Sequence, residues 1–336
     1  MDKNVTKITK QRLSNFLAYE WILIIFLCVI AVVGVNLIYR MTSVSLTVGQ
    51  QFKIYYDYDL YYGSAQVVGN QIKSTNALSF DVQEFSYECL LEGDDVLYTR
   101  TSTYDGDLII TTDKEPGEDS ERKTVLSKSR VDAYDIYTYD QLYKDARAYL
   151  LSLKKDSVTI GENQDIKYEH LDEQKIEQGF NKRLGKDNRF RKSKKQEGIA
   201  LEKQRIKDLC EEVQDFKKIL DLSSEYFFNY TRFEQRLQTA KTEGNERDIK
   251  SYQEAYDVEK TLRENARYGL RVDMLAKHTN DSKKDVTEVL RVDGDEPSSA
   301  NIVIMVFNFR EHQPELQFET ISAINSIVRS FSTILD

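Results

Sequence analysis

Three histidines, His170, His278 and His312, are far apart in the chain, and no HExxH or paired metal-ligand spacing joins any of them to another donor. No nucleophile elbow occurs, and no glycine loop of the GxGxxG or GxxxxGK[ST] kind follows an apolar run. Gly63 and Gly69 in GSAQVVG match neither pattern. Hydrolytic, phosphoryl-transfer and dinucleotide chemistry therefore have no motif here, and we expect a protein that is not an enzyme and needs no cofactor or metal. A different constellation is better motivated. Tyr56, Asp57, Tyr58 and Asp59 close a first strand-like segment, Glu84 follows a second, Asp113 follows a third, and Asn308 and Arg310 follow a late one. In an open parallel sheet, ligands settle beyond the carboxyl ends of the strands. Tyrosine faces could stack there on a sugar or another small polar solute, with Asp57 and Arg310 fixing its polar groups.

The elements that would position those residues follow from periodicity. Phe52, Ile54 and Tyr56 alternate as in a strand, while Ala65, Val68 and Ile72 take helical spacing. Leu78, Phe80 and Val82 resume a period of two. The stretch from Glu88 to Asp105 permits a helix ending at Gly106, and Leu108–Ile110 is an apolar run of the kind a strand buried on both faces shows. Strand, helix, strand, helix, strand predicts a parallel sheet with right-handed crossovers. Thr138 and Gln141 form a capping box before a helix whose apolar face is Leu142, Ala146, Tyr149 and Leu153. NIVIMVF reads as another strand, and Ile321, Ile324, Val328 and Phe331 line a final helix.

The middle of the chain is charged and helical. Ile206, Leu209, Val213, Phe216 and Leu220 step by three and four. Phe227, Tyr230, Phe233 and Leu237 continue the pattern, and a further helix is expected over 251–276 with Ala255, Val258, Leu262 and Ala266 on one side. The seam is too short for a rod, so a bundle is expected. Within it, 182–195 holds eight basic residues and one acid, Asp187. A solvated helix face is the reading the charge-rich surroundings favour; the sharper one is a contact with lipid head groups, wall polymers or an acidic protein face.

Trp21–Tyr39 contains no charge and spans about 28 Å as a helix. With Lys3, Lys7, Lys10 and Arg12 before it, the positive-inside bias predicts an uncleaved single-pass anchor, amino end cytoplasmic and the rest extracytoplasmic. The expected organisation is a cytoplasmic segment 1–18, a transmembrane anchor 19–40, an α/β domain of 47–160 plus 295–336, and a helical subdomain 161–294. A net charge of −9 argues against general nucleic-acid binding. Three cysteines, with Cys28 in the anchor, leave Cys89 and Cys210 as the one bridge open to the outer part.

In element order, FKIYYDYD, LSFDVQEFSYECL and GDLIITTD resemble the opening of extracytoplasmic solute-binding proteins of bacterial ABC importers, over about 47–160 and 295–336. The resemblance implies a periplasmic-binding-protein-like lobe and a role beside a transporter permease or envelope protein. The chain departs from that family in having a helical anchor without a lipobox cysteine and a helical middle where a second α/β lobe belongs. Two functional classes follow: a membrane-anchored solute-binding-like accessory of a transport complex, or a structural interaction protein of the envelope whose helical part docks a partner.

Overall fold

The computed structural model describes residues 21–42, 48–57, 62–75, 77–90, 106–112, 136–228, 232–263, 266–291, 302–307 and 314–336, with a few isolated positions besides. Contacts divide the chain into two units, Met1–Thr47 and Val48–Asp336. In the first, helix α1 runs Trp21–Thr42. Its described side chains, 25–36, are exposed apart from a half-buried Gly34, among them Phe26, Val32 and Val35. Among the described residues no helix is long and apolar enough to cross a membrane. The expected single-pass anchor at Trp21–Tyr39, and the cytoplasmic-amino, extracytoplasmic-carboxyl localisation that depended on it, are corrected accordingly.

The second unit is α/β, built on β1 (Gln51–Asp57), β2 (Glu84–Leu90), β3 (Leu108–Thr112), β4 (Ile136–Tyr137), β5 (Phe227–Phe228), β6 (Gly269–Arg271) and β7 (Ile302–Phe307). The strands lie in the order β2-β1-β3-β7-β6-β5, and β4 also pairs with β7. β1 is parallel to β2 along its whole length, Gln51 facing Glu84 and Asp57 facing Leu90, and is parallel to β3. From β3 onward every pairing is antiparallel. The periplasmic-binding-protein-like parallel sheet is thus corrected to a mixed one. The apolar run at 302–307 marks a doubly buried strand, and nothing in such a run encodes its direction.

Alternation assigns the two faces. Phe52, Ile54, Tyr56, Leu108, Ile110, Ile302, Ile304 and Val306 belong to one continuous core with the helices, while Tyr55, Ile109, Val303, Met305 and Phe307 are buried on the other face. The helices are α2 (Tyr62–Ser74), α3 (Tyr139–Ser152), α4 (Glu173–Leu184), α5 (Lys195–Leu220), α6 (Arg232–Glu243), α7 (Glu246–Arg263), α8 (Val272–Leu275), α9 (Val286–Val289) and α10 (Gln317–Phe331). The Thr138 hydroxyl accepts from the Gln141 amide and starts α3, whose inward face is Leu142, Ala146 and Leu150. The Tyr139 hydroxyl donates to the Ile304 carbonyl at 2.9 Å, pinning α3 to the central strand. Ile206, Leu209, Val213, Phe216 and Leu220 are all buried on α5, which packs on α3, α4 and α10.

Several expected elements differ. Leu78, Phe80 and Val82 lie in a turn, and the second strand begins at Glu84. Residues 88–90 close that strand instead of opening a helix, and 91–105 lie outside the described residues. Phe227 is in β5 rather than a helix, and the helix expected over 251–276 ends at Arg263 before β6. Cys89 and Cys210 are both free.

Candidate functional site

Tyr56 is 3 % exposed, its ring in the helix-packed core. Asp57 ends β1, and its side chain, with Tyr58, Asp59, Asp113, Asn308 and Arg310, lies outside what is described. Glu84 stands at the opposite, amino end of the parallel pair, exposed, accepting from Gln51 Nε2 at 3.1 Å. β7 runs antiparallel to β3, so its carboxyl end meets the amino end of β3, where the Phe307 amide donates to the Asp107 carbonyl at 3.1 Å. The carboxyl ends of β1 and β7 therefore point to opposite edges of the sheet, and the structure does not gather Tyr56 and Glu84 into one crevice.

What the fold does gather is a group of buried charges that no sequence spacing announces. The turn carrying Asp81 meets α4, α5 and α10. Asp81 binds Arg183, and its other oxygen accepts from Arg189 Nη2 at 2.7 Å. Arg183 also reaches Glu202 at 2.6 Å, Glu202 lies 3.5 Å from Arg205, and Arg205 lies 3.7 Å from Glu319. Ser79 donates to Glu319, and Arg205 donates to the Glu315 carbonyl. Burial pushes the Asp81 carboxyl above its ordinary value, with Arg183 and Arg189 pulling it back only in part. Burial also works against the charge of Arg205, but Glu202 and Glu319 outweigh it and hold the guanidinium firmly protonated. Tyr149 beside them is pushed up to about 12, chiefly by burial. Each cation here has a carboxylate and each carboxylate a cation, so the cluster clamps α4, α5 and α10 to the 79–81 turn. Among the described residues no group of histidines, cysteines and carboxylates could hold a metal ion.

The helical part offers a second feature. Phe227 pairs with Leu270 and Phe228 with Gly269, so β5 and β6 are neighbouring antiparallel strands. Between them the chain runs out through α6 and α7, which pack on each other. The turn joining them is written in the sequence. Gly244 takes φ +70° just past the end of α6, the left-handed conformation glycine adopts without strain. Asn245 then caps α7 by accepting from the Asp248 amide at 3.3 Å, and Glu246 and Asp248 sit in the first turn, where the helix dipole favours acids. Leu237 and Ala240 are buried, Ile249, Tyr252 and Tyr256 half-buried, and Gln238, Lys241, Lys250, Glu254 and Asp257 exposed. The pairing of Phe228 with Gly269 had no sequence signal, because two- and three-residue strands show no period.

Comparison with protein-family models, with curated proteins and with solved structures finds no match to this chain.

Proposed function

We infer that this protein works by docking a protein partner, with the α6/α7 hairpin as its arm, and that it performs no catalysis. The observation that supports this reading is the placement of the hairpin. Everything from 229 to 268 is inserted between two residues, Phe228 and Gly269, that already lie side by side in the sheet. The sheet does not need that length to close, since antiparallel neighbours can be joined by a two-residue turn. A self-packed helical pair with a half-buried Ile249, Tyr252 and Tyr256 stripe is of the kind partner helices engage. Solute capture at the strand ends lacks comparable support, because Tyr56 fills the core and the strand ends diverge.

A photo-crosslinking amino acid at Gln238 or Glu254 should give a discrete higher-mass adduct in the producing cells, and one at Glu169, exposed elsewhere in the same unit, should give none. Equal labelling at all three positions defeats the reading. So does a melting temperature raised by a member of a sugar and amino-acid panel, if Asp57→Asn abolishes the rise, since a ligand preferring the folded state stabilises it.

A further inference from the structure

Seven of the eight basic residues of 182–195 have described side chains, and the fold divides those seven into two sets. Arg183 and Arg189 turn inward to Asp81, and Asp187, the segment's one acid, is taken up by Arg189 at 2.8 Å and by Gln50 at 3.0 Å. Lys182, Lys186, Arg191, Lys194 and Lys195 are exposed, and none of their side chains makes a hydrogen bond or ion pair among the described residues. The carboxylate that would neutralise the segment is thus consumed internally, and five cations are left facing water from the end of α4 to the start of α5. The neighbouring exposed acid in sequence is Glu197, in the first turn of α5.

The chemistry of the patch selects its partner. Protein interfaces are built around tyrosine, tryptophan and arginine anchors and are poor in lysine. Here four of the five are lysines, and the segment's aromatic, Phe190, turns away to pack edge-on against Phe80 at 5.6 Å and Phe180 at 5.5 Å. With no ring offered to solvent, the patch lacks a stacking platform for unpaired bases. Strongly hydrated, exposed lysine charges suit a ligand of high, regular charge density whose backbone alone is read. We propose that Lys182, Lys186, Arg191, Lys194 and Lys195 form a contact surface for a linear phosphodiester polymer. The acidity of the chain as a whole keeps that contact local to this turn. The contact is independent of the α6/α7 hairpin, so either can fail without the other.

The test is fluorescence anisotropy of the full chain with a labelled 24-base-pair duplex and, separately, with a poly(glycerol phosphate). Binding of either at 50 mM salt is expected, and the arm that binds identifies the source of the phosphodiester. With five contacts on the duplex, affinity should fall roughly 500-fold between 50 and 200 mM salt. Changing all five residues to Gln should reduce binding by more than roughly tenfold at 50 mM salt while leaving the melting temperature in place, because the side chains are exposed and unpaired. Lys194→Gln with Lys195→Gln gives an intermediate loss and serves if the fivefold variant folds poorly. Binding of neither polymer, binding that the substitutions leave unchanged, or binding only to vesicles containing anionic phospholipid overturns the proposal.

Discussion

Arg183 of α4 donates to Glu202 of α5 across 2.6 Å, with the Glu202 side chain 2 % exposed. Glu202 also lies 3.5 Å from Arg205, so it is the carboxylate between two guanidiniums. Glu202→Gln keeps the volume and removes the charge, leaving Arg183 and Arg205 to repel each other. Breaking a buried pair in this way costs about 3–5 kcal/mol, whereas replacing both partners by apolar groups recovers much of the loss. Urea unfolding should show Glu202→Gln destabilised by about that amount, and Arg183→Leu/Glu202→Leu more stable than Glu202→Gln alone. A loss below roughly 1 kcal/mol for Glu202→Gln would mean the cluster does not clamp the helices.

Asp215 ties α5 to α10 and gives the stability a pH dependence of predictable sign. Burial raises its carboxyl, but hydrogen bonds from Lys218 at 2.8 Å and Arg329 at 2.6 Å outweigh that and hold it below the ordinary carboxylate range. A carboxylate depressed in the folded state adds stability that is fully present above its unfolded value of about 3.9 and is lost as the pH falls through the folded value. Asp215→Asn should therefore be less stable than the parent at pH 7, and the two should converge as the pH falls through the depressed folded value. Denaturant titrations from pH 7 to pH 2.5 measure this. A gap that stays constant across that range would show that the hydrogen bonds do not depend on ionisation.

Cys210, on the inward side of α5, is 3 % exposed, and burial pushes its thiol up to about 12. Thiolate is the reactive form, so at pH 8 a thiol reagent should leave Cys210 untouched in the native protein while Cys28, which is exposed, reacts. Mass mapping of the labelled positions separates the cysteines. Labelling of Cys210 at the rate of Cys28 without denaturant would show that α5 opens far more readily than its core packing implies.

The parts of this fold that obey a period were legible before any coordinates. The α5 seam from Ile206 to Leu220, the α10 stripe and the runs at 108–110 and 302–307 fall where the spacing places them, because each repeats a local rule often enough to register. β5 and β6 did not register, being two and three residues long within surroundings of helical spacing. Leu78, Phe80 and Val82 alternate and yet form a turn, since three residues satisfy a period of two by chance. The reversal of β7 depends on pairing between residues almost two hundred positions apart, which no local pattern carries. The same distance hid the ion cluster: Asp81, Arg183, Glu202 and Glu319 meet only after the helices pack. The basic segment was visible as charge, but the inward turn of Arg183 and Arg189, with Arg191 and the described lysines left outward, required the fold.

The hairpin insertion leads to the most direct test of how function is separated from fold. Phe228 pairs with Gly269, and the Tyr268 amide donates to the Phe228 carbonyl at 2.9 Å, so the chain leaves the sheet and returns at nearly the same place. Arg267 must be kept, because its carbonyl accepts from the Tyr139 amide at 2.8 Å and its guanidinium pairs with Asp140 at 2.9 Å. Replacing 231–265 by a short Gly-Ser link removes α6 and α7 without touching β5, β6 or the α3 cap. The shortened protein should fold cooperatively and melt within a few degrees of the parent, since a shorter loop costs less entropy to close and the lost helices pack chiefly on each other. The partner adduct obtained at Gln238 in the full-length chain should have no counterpart when the crosslinker is moved to the link. Circular dichroism melts and hydrogen exchange across Ile302–Phe307 report the first outcome. Loss of protection in β7 on excision would mean that the hairpin supports the sheet and is not a separable arm.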